Sequence, residues 1–127
     1  MQGMHLYEYA VIRVLPKVER EEFVNVGVIM FSKSQKYIGI KFHVNEDRLK
    51  CFACEIDIDF ITSSLESWSK ICEGHRSGGH IASFDIAERF RWITAVKSSC
   101  LQTSRPHSGF AVDLDTALVQ LFNELVL

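Results

Sequence analysis

Hydrophobic and polar residues alternate along three segments near the beginning of the chain. The segments are Tyr7–Leu15, which stops at Pro16, Phe23–Phe31 and Tyr37–Phe42, and all three are rich in β-branched and aromatic residues. The polar residues 32–36 between the last two segments are typical of a hairpin turn. This pattern predicts a three-stranded antiparallel meander over the first third of the chain.

Helical spacing replaces this alternation after the meander. Asn45 is a candidate N-cap for a short helix over residues 46–53. Between residues 57 and 73 an apolar residue returns every three or four positions, which is the spacing of one buried helix face, and Gly74 is suited to end that helix. Asp113 is a candidate N-cap for a last helix with an apolar face of leucine and phenylalanine.

The segment between Gly74 and Asp113 contains both helical spacing and strand-like residues. It predicts a helix over residues 84–95 with Ser83 near its start, a turn at Arg105–Gly109 and a short strand at Phe110–Val112. Most strands come before the helices, without strict strand–helix alternation, and this order predicts an α+β fold. We expect an antiparallel sheet opened by the N-terminal meander, with three to four helices packed mainly on one face.

The composition is that of a globular protein, and we expect one domain over residues 1–127. Of the 127 residues, 47% are hydrophobic and 24% are charged, which is too apolar for intrinsic disorder. No apolar run approaches the ~18 residues of a membrane-spanning helix, and Met1–Glu8 lacks the basic start of a signal peptide. We therefore expect a cytoplasmic protein, outside the membrane, with reduced cysteines.

The charge distribution argues against nucleic acid as the main partner. The formal net charge is −2, whereas domains that bind nucleic acid are usually strongly basic. Residues 70–107 nevertheless carry six Lys and Arg against three Asp and Glu. A solvated surface accounts for this excess, and weak nucleic-acid binding through residues 70–107 is kept as an alternative.

One cysteine and histidine spacing matches a zinc site on paper. Cys51 and Cys54 are followed by Cys72 and His75, and thiolate and imidazole groups are the usual ligands of tetrahedral zinc. The intervening segment is predicted to be one helix about 24 Å long, at ~1.5 Å per residue, which would hold the two pairs apart. Cys72 also belongs to an apolar helix face. We therefore expect neither a metal nor a cofactor.

Four segments of the chain resemble the bacterial Domain of Unknown Function 3037 family. They are Tyr9–Val14, Glu19–Val28, Glu88–Ala95 and His107–Gly109, and the resemblance covers most of the chain. The family has no established activity, so the resemblance transfers no catalytic residue. Family members are often encoded beside a toxin-type Ser/Thr kinase-like protein, and the resemblance therefore implies a small partner subunit.

The second strand contains two residues that disfavour strands. Asn25 and Gly27 stand in a run of valines. One interpretation is a β-bulge at Gly27, with Asn25 satisfying nearby backbone groups. The other places Glu22 and Asn25 at the mouth of a pocket, where a carboxylate and an amide could bind a cation, a hydroxyl or a peptide backbone.

Further candidate binding residues come from the predicted helix near residue 90 and the turn that follows. Arg89 and Trp92 share the non-core side of the helix with Glu88, where the arginine either makes an internal contact or binds an anion. Trp92 is suited to stack on a base or to anchor a partner protein. His107 can exchange protons near neutral pH, although a single histidine in a turn is usually a surface residue.

These observations favour a non-catalytic protein-binding partner or adaptor, which uses an exposed sheet edge or the Trp92 side of its helix. No catalytic residue is assigned. The alternative is an enzyme on a phosphoester or a nucleotide that uses Glu22, Glu88, Arg89 and His107. A homo-oligomer is also compatible with the sequence. If the candidate binding residues form one site, the early hairpin, the helix near residue 90 and the turn near residue 107 must lie together at one end of the molecule. We expect this arrangement.

Overall fold

The chain forms one antiparallel sheet with helices against both faces. A computed structural model describes residues 3–15, 22–52, 57–74, 78–95 and 100–127. Within these ranges the elements are β1 (His5–Val14), β2 (Val24–Ser32), β3 (Tyr37–Phe42), α1 (Glu46–Phe52), α2 (Ile58–Glu73), a 3-10 turn (His80–Ser83), α3 (Ile86–Thr94), β4 (Leu101–Thr103), β5 (His107–Ala111) and α4 (Leu114–Leu125). None of the helices found in these ranges has the length and apolar character needed to cross a membrane.

The sheet confirms the predicted meander and extends it on one side. β2 pairs with β3 on one edge and with β1 on the other, always antiparallel. The free edge of β1 then receives two short strands end to end: β4 pairs with its last residues and β5 with its first. β4 and β5 together therefore form one border of the sheet, and β3 forms the other.

The larger core lies between the sheet and α1–α3. Ala10, Ile12 and Val14 of β1 point to this side and are fully buried, together with Ile61 and Leu65 of α2. The sequence periodicity predicts these apolar faces. Their removal from water is the main favourable contribution to folding.

A smaller core on the opposite face belongs to α4. Val28 and Met30 of β2 are fully buried against this helix, and Leu118 and Phe122 are its main buried residues. α4 packs mainly over β2 and β3, and it meets β1 through Tyr7 and Tyr9. The α+β fold is confirmed, and three of the four described helices lie on one face of the sheet, as predicted.

A β-bulge lies at the position that Gly27 predicts. Ile12 pairs with Gly27 and Arg13 with Asn25, so Val26 is an additional residue in β2. A side chain at position 27 has no space, because its Cβ would lie 2.7 Å from the carbonyl oxygen of Lys41. The bulge shifts the alternation of β2 by one residue, since Val24 and Val26 face the larger core before it and Val28 and Met30 face the smaller core after it.

Most helix ends agree with the sequence prediction. The side chains of Asn45 and Asp113 accept backbone hydrogen bonds at the starts of α1 and α4, and Gly74 ends α2 in the left-handed conformation. The start of α3 was predicted too early. Asp85 is its N-cap and accepts from the backbone N–H of Glu88 at 2.9 Å, whereas the Ser83 hydroxyl donates to His80 in the preceding 3-10 turn.

The predicted turn at residues 105–109 is wrong in its second half. His107, Ser108 and Gly109 belong to β5, and only Ser104–Pro106 interrupt the border strand. Ser104 holds this interruption in place, because its N–H donates to the carbonyl of Val11 at 2.8 Å and its hydroxyl accepts from the N–H of Val11 at 2.9 Å. The side chain thus replaces a backbone group that the irregular strand cannot supply.

The space at the bulge can be tested directly. Gly27→Ala places a methyl group against the Lys41 carbonyl, and we expect it to lower the free energy of unfolding by about 1–3 kcal/mol. Urea denaturation of the wild type and of Gly27→Ala at equal protein concentration measures the difference in the free energy of unfolding. Equal midpoints for wild type and Gly27→Ala would contradict this account of the bulge.

Candidate functional site

Asn25 connects the sheet to the end of the last helix. Its amide nitrogen donates to the carbonyl oxygen of Leu125 at 3.0 Å, which satisfies a carbonyl group that the helix end leaves unpaired. Its neighbour across the strands is Arg13, whose guanidinium lies 4.5 Å from the centre of the Phe23 ring. Asn25 therefore holds backbone in place, as the bulge interpretation predicts, and Glu22 directly precedes this segment.

Arg89 makes an internal contact on the other face of the sheet. One terminal nitrogen of its guanidinium donates to the carbonyl oxygens of Ile71 and Cys72, both at 3.1 Å. It thereby caps the end of α2 beside Gly74 and fixes α3 against that helix. Trp92 lies on the same helix with 40% of its surface exposed.

His107 begins the border strand β5 and is exposed. It lies opposite Tyr9 of β1, and the centres of the two rings are 5.4 Å apart. Both side chains therefore point to the α4 side of the sheet. The histidine is thus part of a row of rings that continues to Tyr7, whose ring centre is 6.1 Å from that of Tyr9.

The structure does not bring these predicted residues together at one site. Arg89 lies on the α2 side of the sheet, whereas Asn25 and His107 lie on the α4 side. Asn25 and His107 are also apart, because they lie across opposite edges of β1, at positions about 13 Å apart along that strand. The convergence expected from the sequence is absent among the described residues, and with it the clustered polar groups of the alternative enzyme.

The cysteine and basic-residue hypotheses fall partly outside the described ranges. Cys54 and His75 are not described, and the described residues contain no group of three or more side chains able to hold a metal. Cys72 is buried in the larger core. Of the basic residues at positions 70–107, Arg76 and Lys97 are not described, and the others are spread over α2, α3 and the segment before β5.

The outer edge of β5 is a feature that the sequence analysis did not locate. The backbone groups of Val11 point toward this side of β1, because both bond Ser104. Successive residues of a strand point to opposite edges, so Tyr7 and Tyr9 also direct their backbone groups toward β5. Their partners are Gly109 and His107, and the N–H and C=O groups of Ser108 and Phe110 therefore point away from the sheet.

A groove runs beside this open edge on the α3 side of the sheet. It encloses about 910 Å³, with Glu8, Phe31 and Ser108 on its floor and Ala87 and Arg91 on its wall. At its end Leu6 and Phe110 face each other across the strands, and each has 51% of its surface exposed. Exposed apolar side chains next to unpaired backbone are typical of a protein-binding surface.

The other side of the open edge carries the row of aromatic rings. The phenol of Tyr7 reaches from β1 across Gly109, and its hydroxyl oxygen would lie 2.5 Å from a Cβ atom at that position. A side chain at position 109 would displace this ring, so Gly109 lets the phenol lie over β5. Burial raises the pKa of the Tyr7 hydroxyl, with smaller contributions from Tyr9 and Glu124.

A signal for this edge is present in the sequence. The segment from His107 to Ala111 contains no Lys, Arg, Asp or Glu, and it includes an exposed aromatic residue. Pro106 and Gly109 instead favoured a turn, because these residue types are common in turns. The register against β1, which no local pattern reveals, decides that the segment is a strand.

The structural role of Arg89 predicts a loss of stability when it is replaced. We expect Arg89→Ala to lower the free energy of unfolding by roughly 1.5–3 kcal/mol, because a charged donor to two carbonyl oxygens is lost. Arg91→Ala on the exposed side of the same helix is the matched control and should change it by less than about 0.5 kcal/mol. Equal effects of the two variants would contradict the capping role.

The burial of Cys72 predicts that its thiol reacts slowly with alkylating reagents. Burial raises the pKa of Cys72 to about 12, more than the nearby Arg89 lowers it. At about pH 8 we expect iodoacetamide to modify Cys72 more slowly than the half-buried Cys100, as read by peptide mass spectrometry. The stability from the neutral thiol is complete below about pH 8.5 and is lost as the pH rises toward 12, because only the unfolded thiol ionises there. Equal modification rates would contradict this burial.

Comparisons with known proteins establish the family and nothing finer. A family model described as a protein of unknown function, DUF3037, matches residues 9–126, which confirms the resemblance seen in the sequence. Neither the search of curated proteins nor the search of solved structures finds a match. The chain belongs to the DUF3037 family of proteins of unknown function.

Proposed function

We propose that this chain is a non-catalytic cytoplasmic protein-binding module that receives an extended segment of a partner protein as an added strand on β5. The observation that carries the proposal is the outer edge of β5, where the backbone groups of Ser108 and Phe110 point away from β1 beside exposed apolar side chains. An extended segment binds such an edge by main-chain hydrogen bonds and gains specificity from alternate side chains.

The composition of β5 supports strand addition. Exposed edge strands usually carry lysine, other charges, proline or a bulge that prevents pairing with another chain. β5 has no formally charged residue, and Pro106 stands just before it, where it leaves the paired residues unaffected. An edge of this kind in a folded protein favours a binding role over a purely structural one.

The opposite border of the sheet is less suited to this role. The edge of β3 lies in a smaller groove of about 390 Å³ between α2 and α4. Gly39 in its centre is covered by the side chains of Tyr37 and Leu118. Lys41 is exposed on this strand, and a lysine on an edge is a usual protection against pairing. We therefore place the partner on β5.

An enzymatic function has less support. The phosphoester or nucleotide hypothesis requires Glu22, Glu88, Arg89 and His107 to surround one reacting group. Arg89 instead donates to backbone carbonyls on one side of the sheet, and His107 packs against Tyr9 on the other. The kinase-like partner implied by the family resemblance stays a prediction, and the β5 edge is the surface that we propose for it.

Two variants of β5 test this function. Short random peptides displayed on phage and selected on the wild-type protein provide the probe. Ser108→Pro removes an outward N–H and keeps the bonds to β1, while Phe110→Ser removes the exposed apolar side chain. We expect each variant to bind the selected peptides at least about tenfold more weakly, a loss of about 1.4 kcal/mol, in fluorescence polarisation.

The matched control is Phe60→Ser on α2, because Phe60 is 52% exposed and Phe110 is 51% exposed. We expect this variant to bind the peptides as wild type does. The proposal is wrong if no peptide is enriched, if Ser108→Pro binds undiminished, or if Phe60→Ser loses as much affinity. It is also wrong if the wild type forms a dimer that Ser108→Pro abolishes, because the occupant would then be a second copy of the chain.

A further inference from the structure

The Tyr7 hydroxyl occupies a special position on the α4 side of the open edge. The ring lies over Gly109, so the hydroxyl stands above the border strand and not above β1, to which Tyr7 belongs. An added strand would run about 4.8 Å beyond β5, with the residue opposite Gly109 on this same side. Because Gly109 has no side chain, nothing on β5 itself separates that residue from the hydroxyl.

The hydroxyl has unused hydrogen-bonding capacity in the chain as described. A second tyrosine, Tyr37, also lies over a glycine, and its hydroxyl donates to Asp115 at 2.8 Å. Tyr7 donates to no described residue, and its raised pKa arises from burial and from nearby charges without a hydrogen bond. The group therefore remains a protonated donor at neutral pH, and it lies over the border strand on which an added strand would pair.

The charges around this position favour an acidic partner. His107 and His5 lie on the same side of the sheet, opposite Tyr9 and Ala111, and Arg105 is exposed just before β5. Among the described residues, the carboxylate whose charge raises the pKa of Tyr7 is Glu124 of α4, which accepts from the amide of Gln120 at 3.3 Å. A carboxylate over Gly109 would thus meet the Tyr7 hydroxyl as a donor and lie between the positions of His107 and His5.

We infer that the segment bound on β5 carries a carboxylate side chain opposite Gly109, which accepts a hydrogen bond from the Tyr7 hydroxyl. The residues beside it point to the α3 side, and the one opposite Phe110 is apolar because Phe110 and Leu6 are exposed there. The inference rests on the proposed function and adds the chemistry of the partner: an extended segment in which an aspartate or glutamate adjoins an aliphatic or aromatic residue.

Tyr7→Phe tests the hydrogen bond without removing the ring that covers Gly109. The probes are a peptide selected on the wild-type protein and the same peptide with its acidic residue changed to alanine. We expect Tyr7→Phe to weaken the acidic peptide about five- to tenfold, as one hydrogen bond would, and to leave the alanine peptide unchanged. Tyr37→Phe is the matched control at the other border and should not affect either peptide.

The outcomes separate this inference from the proposed function. Selected peptides without an acidic residue, or equal effects of Tyr7→Phe on the acidic and the alanine peptide, would overturn the inference. In both cases, weaker binding by Ser108→Pro would still uphold strand addition on β5. Loss of the Tyr7→Phe effect only in the alanine peptide would confirm the direct contact, because independent changes add in a double-mutant cycle.

Discussion

Backbone hydrogen bonding along β1 determines the arrangement of this molecule. One edge of β1 pairs with β2, and the other is shared by two short strands, β4 and β5. Unpaired backbone groups inside a protein are costly, so the irregular residues between the short strands need a substitute partner, which the Ser104 side chain supplies. Successive residues of β5 direct their backbone groups to opposite edges. Those of His107 and Gly109 therefore bond β1, and those of Ser108 and Phe110 point to solvent.

The helices make the two borders of the sheet unequal. α4 packs mainly over β2 and β3, so the β3 border lies between α2 and α4, whereas α4 meets β5 at Ala111 and leaves His107, Ser108 and Phe110 exposed. Leu6 and Phe110 stay exposed on the α3 side of this border, and Tyr7 and Tyr9 are only half-buried on its α4 side. A binding surface at this border follows from the placement of the helices, which cover the β3 border more than the β5 border. Such a surface does not require a cluster of catalytic residues.

Local chemistry explains which parts of the fold were predictable. β-branched alternation, cap residues such as Asn45 and Asp113, and Gly74 act within a few residues, and the predictions based on them are confirmed. The bulge at Gly27 was predictable for the same reason, since glycine in a valine-rich strand indicates a close approach of backbone.

The site depended on contacts between distant parts of the chain and was not predictable in the same way. Residue type alone could not decide that Arg89 caps the end of α2, which lies some distance before it in the sequence. Pro106 and Gly109 indicated a turn, whereas pairing with β1, about a hundred residues earlier, makes this segment a strand. The space that Tyr7 takes above Gly109 also becomes visible only in that register.

Residue-resolved amide hydrogen exchange at β5 tests the central claim most directly. In the chain alone, the amides of Ser108 and Phe110 should exchange fast and that of Gly109 slowly, because only Gly109 bonds β1. A peptide selected on the protein should slow Ser108 and Phe110 and leave Gly109 as it was. Slow exchange at Ser108 and Phe110 in the chain alone, or no change when a peptide binds, would contradict an open edge that receives a partner strand.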